Sequence, residues 1–427
     1  MPVTDPAPRF WNRQRETMSW DERRSQLEAE FLRTFHRAWR HSQAYREIFQ
    51  KAGLSPGDIQ SLEDLPRLPI LRLPDLAARQ QADPPFGGFE AVDHTEIHRI
   101  YVNPGSIIQP GGKKYRDTTW AEALCGAGIG PSDRVLNTFS YHLWPYAFML
   151  DESCRMIGAT VLPTGPGNTL MQVKILQQLQ VSAFLGTPSF LMTLAQRAEG
   201  MGLDPAQELG LTKAMVGAEM LPESLRTRLQ NKLGIRLRQA YGTVLLGCLG
   251  YECPELGGLH IPDHVIVELV EPHAGGPVSP PAVGEIVATC FNPVFPLLRL
   301  ATGDLSLMNV RECACGRRGP MLAKVLGRVD QATKVRGTFI HPWQTDELMA
   351  RYPEVFKYQV VITRENDVDQ MTFWIESTAP AVSLSGLAVR LERDIKDMLT
   401  IRGRVKIVPL GTIPDFHQKI QDKRAWD

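Results

Sequence analysis

"LTKAMVGAEMLPESLRTRLQNKLGIRLRQAYG", residues 211–242, reads as strand, helix, strand. "LTKAMVGAE" and "IRLRQAYG" are short and apolar enough for buried strands, and "PESLRTRLQNKLG" between them is amphipathic. Two such strands joined by a helix predict a parallel pair with the helix packed over it.

The pattern extends upstream. "TTWAEALCGAGI" reads as a helix, "DRVLNTFS" and "GATVLP" as strands, "TLMQVKILQQLQ" as a helix and "VSAFLGTPS" as a strand. A parallel sheet covered on both faces is expected, with function collected in the loops at the carboxyl ends of its strands. After residue 262 the style changes. "HVIVELVEP" and "GEIVATCF" predict antiparallel strands of a smaller β subdomain, and "KYQVVITRENDVDQMTFWIES", "LAVRLERDIKDML" and "RVKIVPL" predict a small α+β unit. The expected fold is α/β. A large domain over residues 1–329 has parallel sheets flanked by helices and a β subdomain at about 262–329, followed by a small mobile α+β domain over 330–427.

At the other end, "SWDERRSQLEAEFLRTFHRAWRHSQAYREIF" predicts a helix opened by a Ser19–Glu22 capping box. Leu27, Phe31, Phe35 and Trp39 make its buried stripe. The Pro-rich run from Pro66 to Pro85 reads as a surface connection with little helix potential.

The 427 residues exceed one ordinary core, which predicts two or three domains. Basic and acidic residues balance at 47 each with no basic run, so a nucleic-acid partner has no support. No apolar run approaches the ~20 residues that span a bilayer, and the N-terminus lacks a signal-peptide core, so a cytoplasmic, membrane-free protein is expected. Seven cysteines scattered through so long a chain do not make a disulfide framework.

Nine blocks then occur in a telling order: "GATVLP", "GTPSF", "VGAEM", "AYGTVLLG", "ECPELGGLH", "PLLRLATGDL", "CACG", "LGRVDQATKVRG" and "GTIPDFHQK". From about residue 20 to the C-terminus the chain resembles the phenylacetate-CoA ligase branch of the adenylate-forming superfamily. That resemblance implies activation of a carboxylic acid by ATP as an acyl-adenylate, rotation of the small domain, and transfer of the acyl group to coenzyme A. It implies that Asp304 accepts hydrogen bonds from a ribose diol, that Arg328 contacts the same sugar or its phosphate, and that Asp330 sits at the hinge. Gly217, Ala218 and Glu219 would line the adenine slot, with Tyr241 stacked on the base. Lys419 matches the lysine brought to the carboxylate during adenylation, although Gln418 stands where the family has Gly and Asp415 where a basic residue is usual. Relatives often pair, which suggests a homodimer by analogy.

Two departures concern Mg-ATP. The family's phosphate loop runs Gly, Thr, Thr, Gly, Lys, Pro after a Ser/Thr-rich start; here the matching residues are Asn103, Pro104, Gly105, Ser106, Ile107, Ile108, Gln109 and Pro110. Aliphatic side chains facing a triphosphate would desolvate charge without pairing it. Lys113 and Lys114 are the alternative source of charge. In "YGTVLLG" the residues in place of the family's Ser/Thr and magnesium-holding Glu are Val244 and Leu245, which offer no metal oxygen ligand of that kind. Both losses together predict that ATP and magnesium are no longer used.

Other features survive. Cys253 and His260 form C-x6-H and Cys313 and Cys315 form C-x-C, a set suited to a structural Cys3His zinc site whose pairing the resemblance supports. Tyr141, Trp144 and Phe148, in "FSYHLWPYAFMLDESC", are expected as walls of an acyl pocket for an aromatic or planar group. His142 beside them is a candidate general base on a thiol, and Cys248 a candidate nucleophile if an acyl-enzyme forms. For each the plainer alternative is packing.

The expectation drawn from these residues is an acyltransferase on an adenylate-forming fold. It would move an acyl group from a CoA thioester to another thiol, such as an acyl carrier protein's phosphopantetheine, without ATP. Two alternatives stand beside it: an AMP-forming aryl-CoA ligase with an atypical phosphate loop, and a non-catalytic acyl-CoA-binding homologue.

Overall fold

The computed structural model describes residues 10–103, 107–272, 274–309, 311–331, 333–335, 338–365, 368–378, 380, 384–414 and 418–424. They form two compact units, residues 1–302 with 306–325, and residues 303–305 with 326–427.

The strands of the first unit are β1 (Ile97–Val102), β2 (Ile108–Gly112), β3 (Arg134–Asn137), β4 (Thr160–Pro163), β5 (Ala183–Gly186), β6 (Lys213–Val216), β7 (Arg236–Thr243), β8 (Gly247–Tyr251), β9 (Leu259–His260), β10 (Val265–Val270), β11 (Gly284–Cys290), β12 (Leu297–Asn309) and β13 (Met321–Arg328); residues 303–305 and 326–328 of the last two belong to the second unit. β4-β3-β5-β6-β7 are parallel neighbours, as the apolar strands joined by helices predict. β7 then turns back on β8. From there one sheet continues through β9, β13, β12 and β11 to β10. The antiparallel β10–β11 pair read from "HVIVELVEP" and "GEIVATCF" is therefore the far edge of the same eleven-stranded sheet.

The N-terminal helix runs Trp20–His41. The Ser19 hydroxyl and Glu22 carboxylate cap each other's backbone, and Leu27, Phe31 and Phe35 are buried. The Pro-rich run contains a helix, Leu73–Ala82, where little helix potential is expected from composition. Pro74 sits in its first turn, where the missing N–H has no partner to lose, and Leu76 and Gln80 are buried.

In the second unit, β16 (Val355–Glu365) and β17 (Val368–Ser377) form an antiparallel hairpin after the short pair β14 (Thr333–Val335) and β15 (Thr338–Ile340). β18 (Arg404–Val408) lies parallel to β17, and β19 (Ile420–Asp422) parallel to β16. Helices Pro342–Met349 and Leu384–Leu399 supply Leu348, Leu387, Leu391 and Ile395 to a core shared with Val360, Ile362, Phe373 and Ile375.

Candidate active site

The carboxyl ends of β3, β5, β6 and β7 lie side by side, so the loops that follow them are neighbours. Thr138 after β3 donates to Leu185, and Gly217 after β6 donates to Gly186. A Cβ on Gly217 would fall 2.9 Å from the Ala240 carbonyl oxygen and 3.1 Å from the Tyr146 hydroxyl, so glycine is required there. Ala218 takes a left-handed φ of 64°, a strained choice for a side-chain-bearing residue. The Glu219 carboxylate accepts from the Ser189 hydroxyl at 2.8 Å and its amide at 3.2 Å. Tyr241 is half-buried on β7.

The β1–β2 hairpin carries the segment matched to the phosphate loop. Pro104, Gly105 and Ser106 lie outside the described residues. Ile107 is only 4% exposed and packs into the N-terminal core with Phe86, Phe89 and Phe295. The Gln80 side chain clamps Ile108 by accepting from its amide at 2.8 Å and donating to its carbonyl at 2.7 Å. Gln109 is buried and accepts from Asn103 Nδ2 at 3.1 Å. Leu245, at the β7–β8 turn, is 6% exposed and belongs to the same core. Ile107 and Leu245 thus point into protein. Beside that turn stands Asp117, which the sequence did not single out: its Oδ1 accepts from the Thr119 amide and hydroxyl, and its Oδ2 would lie 2.3 Å from a Cβ on Gly247.

In the second unit, Arg328 reaches Asp304 at 3.4 Å and Asp330 at 3.0 Å. Gly303, with φ of 78°, has the guanidinium over it, and a Cβ would come within 2.8 Å of Arg328 Nη2. Lys419 Nζ pairs with Asp346 at 2.6 Å and lies 4.6 Å from the Tyr358 ring centroid. Asp346, the partner that sequence reading missed, also accepts from the Tyr358 hydroxyl at 2.5 Å. Asp415 lies outside the described residues.

The aromatic residues of 139–148 separate. Trp144 is 43% exposed. Tyr141 and Phe148 line a cavity of about 620 Å³ between the hairpin and one face of the helix Tyr146–Met156. That cavity is polar: Arg116 pairs with Glu152 at 2.5 Å, Arg155 with Asp151 at 3.0 Å, and Arg99 covers the Phe148 ring at 4.5 Å. Tyr141 donates to Asp151 at 3.0 Å. Phe139 and Tyr146 turn inward instead, against Trp120. His142 is exposed on its loop and does not line the cavity. Cys248 is fully buried, its thiol directed at the Tyr241 and Gly250 carbonyls. Burial pushes its pKa up, which suppresses the thiolate a nucleophile needs.

Cys253, His260, Cys313 and Cys315 come together with all four donor atoms within 4.8 Å of one another. Cys253 and Cys313 sulfurs are 3.5 Å apart, as are Cys315 Sγ and His260 Nε2. Tetrahedral zinc with ~2.3 Å Zn–S bonds needs sulfurs roughly 3.8 Å apart, so the donor set fits. A hydrogen bond from the Cys253 thiol, then those from His260 and the Arg317 amide, hold the Cys315 thiol well below the usual thiol range. Arg317 extends the cluster: its Nε donates to Glu16 at 2.8 Å and to the Tyr251 hydroxyl at 3.0 Å. Nothing in the spacing of the sequence announced that link.

The chain is matched over residues 116–289 by the AMP-binding enzyme family and over 337–426 by the AMP-binding enzyme C-terminal domain. Its fold is that of adenylate-forming enzymes. More narrowly, the protein belongs to the phenylacetate-CoA ligase-like family. It is 30% identical to phenylacetate-coenzyme A ligase of Thermus thermophilus over 93% of this chain and 95% of the relative, and 28% identical to that of Aromatoleum evansii over 95% and 94%. Among solved structures it is similar to 2-hydroxyisobutyryl-CoA ligase in an open conformation with 2-HIB-AMP and CoA, with TM-score 0.84 and 25% identity over 99% of this chain and 96% of that one.

These likenesses correct the expected function. Transfer of an acyl group from a CoA thioester to another thiol without ATP is contradicted: the chain-long relatives are ligases and the similar structure holds an acyl-AMP. The physical reason is on the hairpin. Ile107 and Leu245 could repel the phosphates and magnesium only by facing them, and both are core residues. No helix among the described residues is long and apolar enough to cross a membrane.

Proposed function

We propose that the protein is an AMP-forming acid–thiol ligase. A carboxylate oxygen attacks the α-phosphorus of ATP, pyrophosphate leaves, and the resulting acyl-adenylate is attacked by the thiol of CoA. The sulfur–carbonyl bond forms, AMP departs, and the thiol proton passes to solvent. The observation that carries this reading is similarity to phenylacetate-coenzyme A ligases over more than nine-tenths of both chains.

Within it, Asp304 holds the ribose diol and Arg328, fixed between Asp304 and Asp330, the sugar or its phosphate. Tyr241 stacks on adenine beside Gly217, Ala218 and Glu219. Lys419 leaves Asp346 to meet the carboxylate during adenylation, adding a positive charge where negative charge builds up. Ile107 is turned away from the phosphates, and the exposed Lys113 and Lys114 lend them only long-range, salt-screened positive charge. At the β7–β8 turn Leu245 stands in place of the family's glutamate and offers magnesium no oxygen ligand.

The Cys253, His260, Cys313 and Cys315 set holds a structural zinc ion that ties β9 to the 313–317 loop and, through Arg317, to Glu16. Chelation is expected to lower the melting temperature by about 10 °C or more, since structural zinc contributes several kcal/mol. Stoichiometric zinc absent from the purified protein would remove this assignment.

Acid-dependent ATP–pyrophosphate exchange tests the ligase, followed by AMP and acyl-CoA formation on adding CoA. Absence of exchange across aromatic and short aliphatic acids would sink it.

A further inference from the structure

One phenol stands where the strand ends converge. Tyr146 is 9% exposed and packs edge-on against Trp120, with ring centroids 5.0 Å apart, and against Phe139, at 4.6 Å. Its hydroxyl reaches the backbone just past β6, 3.1 Å from where a Cβ on Gly217 would stand. Tyr45, Tyr251, Tyr352 and Tyr358 are also buried, and each of those hydroxyls has a partner: the Leu298 amide, Arg317, Asp394 and Asp346 in turn. Among the described residues the Tyr146 hydroxyl has none. Its neighbour Trp120 buries an Nε1–H without a partner.

The ring is buried but the hydroxyl oxygen is not sealed off, so water or a ligand can meet it. Position favours a ligand. Open α/β sheets bind at the carboxyl ends of their strands, and Tyr146 touches the residue that follows β6 between β5 and β7. Burial raises the phenol's pKa, so it remains an O–H donor at neutral pH. The rings of Tyr146, Phe139 and Trp120 also fill this corner, leaving less depth for a long acyl chain.

We propose that Tyr146 is a specificity-determining residue. It donates its hydroxyl hydrogen to an oxygen on the carbon next to the acid's carboxyl group, and so selects short 2-hydroxy and 2-oxo acids. The inference rests on the ligase reading for its reaction and on Gly217 lying beside the adenylate. A site built around such a bond rejects the analogue lacking the oxygen, because its own donor is then stranded. That penalty exceeds the penalty for one methylene more or less.

The test uses the full chain and matched acids: lactate with propionate, 2-hydroxyisobutyrate with isobutyrate, and phenylacetate as the long aromatic probe. kcat/KM in ATP–pyrophosphate exchange and direct binding by calorimetry are both measured. The wild type is expected to favour each hydroxy acid over its deoxy partner by about 10-fold or more, and Tyr146→Phe to bring the ratio within about 2-fold. Because Phe keeps the ring contacts, an unchanged melting temperature separates this from unfolding. A ratio that survives Tyr146→Phe, or a wild type preferring phenylacetate to every short acid, would overturn the proposal. Exchange lost with every acid while calorimetry still shows the Tyr146-dependent preference would instead overturn the ligase reading and leave the selectivity standing.

Discussion

The β1–β2 hairpin and the Asp304–Arg328 corner differ in which way their side chains face. Both are matched to nucleotide contacts by resemblance. On the hairpin, Ile107 is buried among Phe86, Phe89 and Phe295, and Gln109 is tied to Asn103. At the corner, the Arg328 side chain is 44% exposed and is held by two carboxylates across a glycine whose missing Cβ makes room for it. A substitution carries information about a ligand only if the side chain faces it. The Arg328 guanidinium is open to solvent, whereas Ile107 and Leu245 face the core.

The comparison breaks first at Asp304. Removing a carboxylate that accepts two hydroxyl hydrogen bonds forfeits about 3–6 kcal/mol, so Asp304→Ala should lower kcat/KM for ATP by about 10²–10⁴-fold. A change under about 3-fold would detach this corner from the nucleotide. Next is Lys419. Lys419→Ala is expected to slow acid-dependent pyrophosphate exchange by about 10²-fold, while acyl transfer from a supplied acyl-adenylate to CoA falls far less. Equal losses in both half-reactions would deny it an adenylation role.

The hairpin should respond in stability more than in catalysis. Ile107→Thr places a hydroxyl in an apolar core and should destabilise the protein by about 1–3 kcal/mol in urea unfolding, with KM for ATP within about 3-fold. A sharp gain in ATP affinity would show that residue 107 faces the phosphates after all. The smallest effect belongs to Lys113 and Lys114, both exposed. Each Ala variant should raise KM for ATP by no more than about 5-fold, and less at 0.5 M salt, where a surface charge is screened. A salt-independent loss of about 100-fold would place one of them against the phosphates, because a buried contact resists screening.

Much of the fold was legible because its determinants are local. The alternation of short apolar strands and helices from residue 118 to 242 fixes a parallel sheet, and the Ser19–Glu22 box starts a helix wherever it occurs in such a context. The helix Leu73–Ala82 was obscured because prolines on either side drew attention from the one that suits a first turn. The Cys253–His260–Cys313–Cys315 set was legible as residue types, and the structure brings its four donors together. Its tie through Arg317 to Glu16 was not, since 301 positions separate the two.

By itself, then, the amino-acid order determined the family, the succession of elements and the identities of the groups at strand ends, all of which depend on neighbours along the chain. Only the tertiary structure decided which way those groups face. Ile107 turns inward, where Gln80 clamps the next residue and the core that also holds Phe86, Phe89 and Phe295 takes up its side chain. Tyr146 turns toward Gly217 because Trp120 and Phe139 hold its ring. Burial is set by residues far away in sequence, and a motif read in isolation has no access to them.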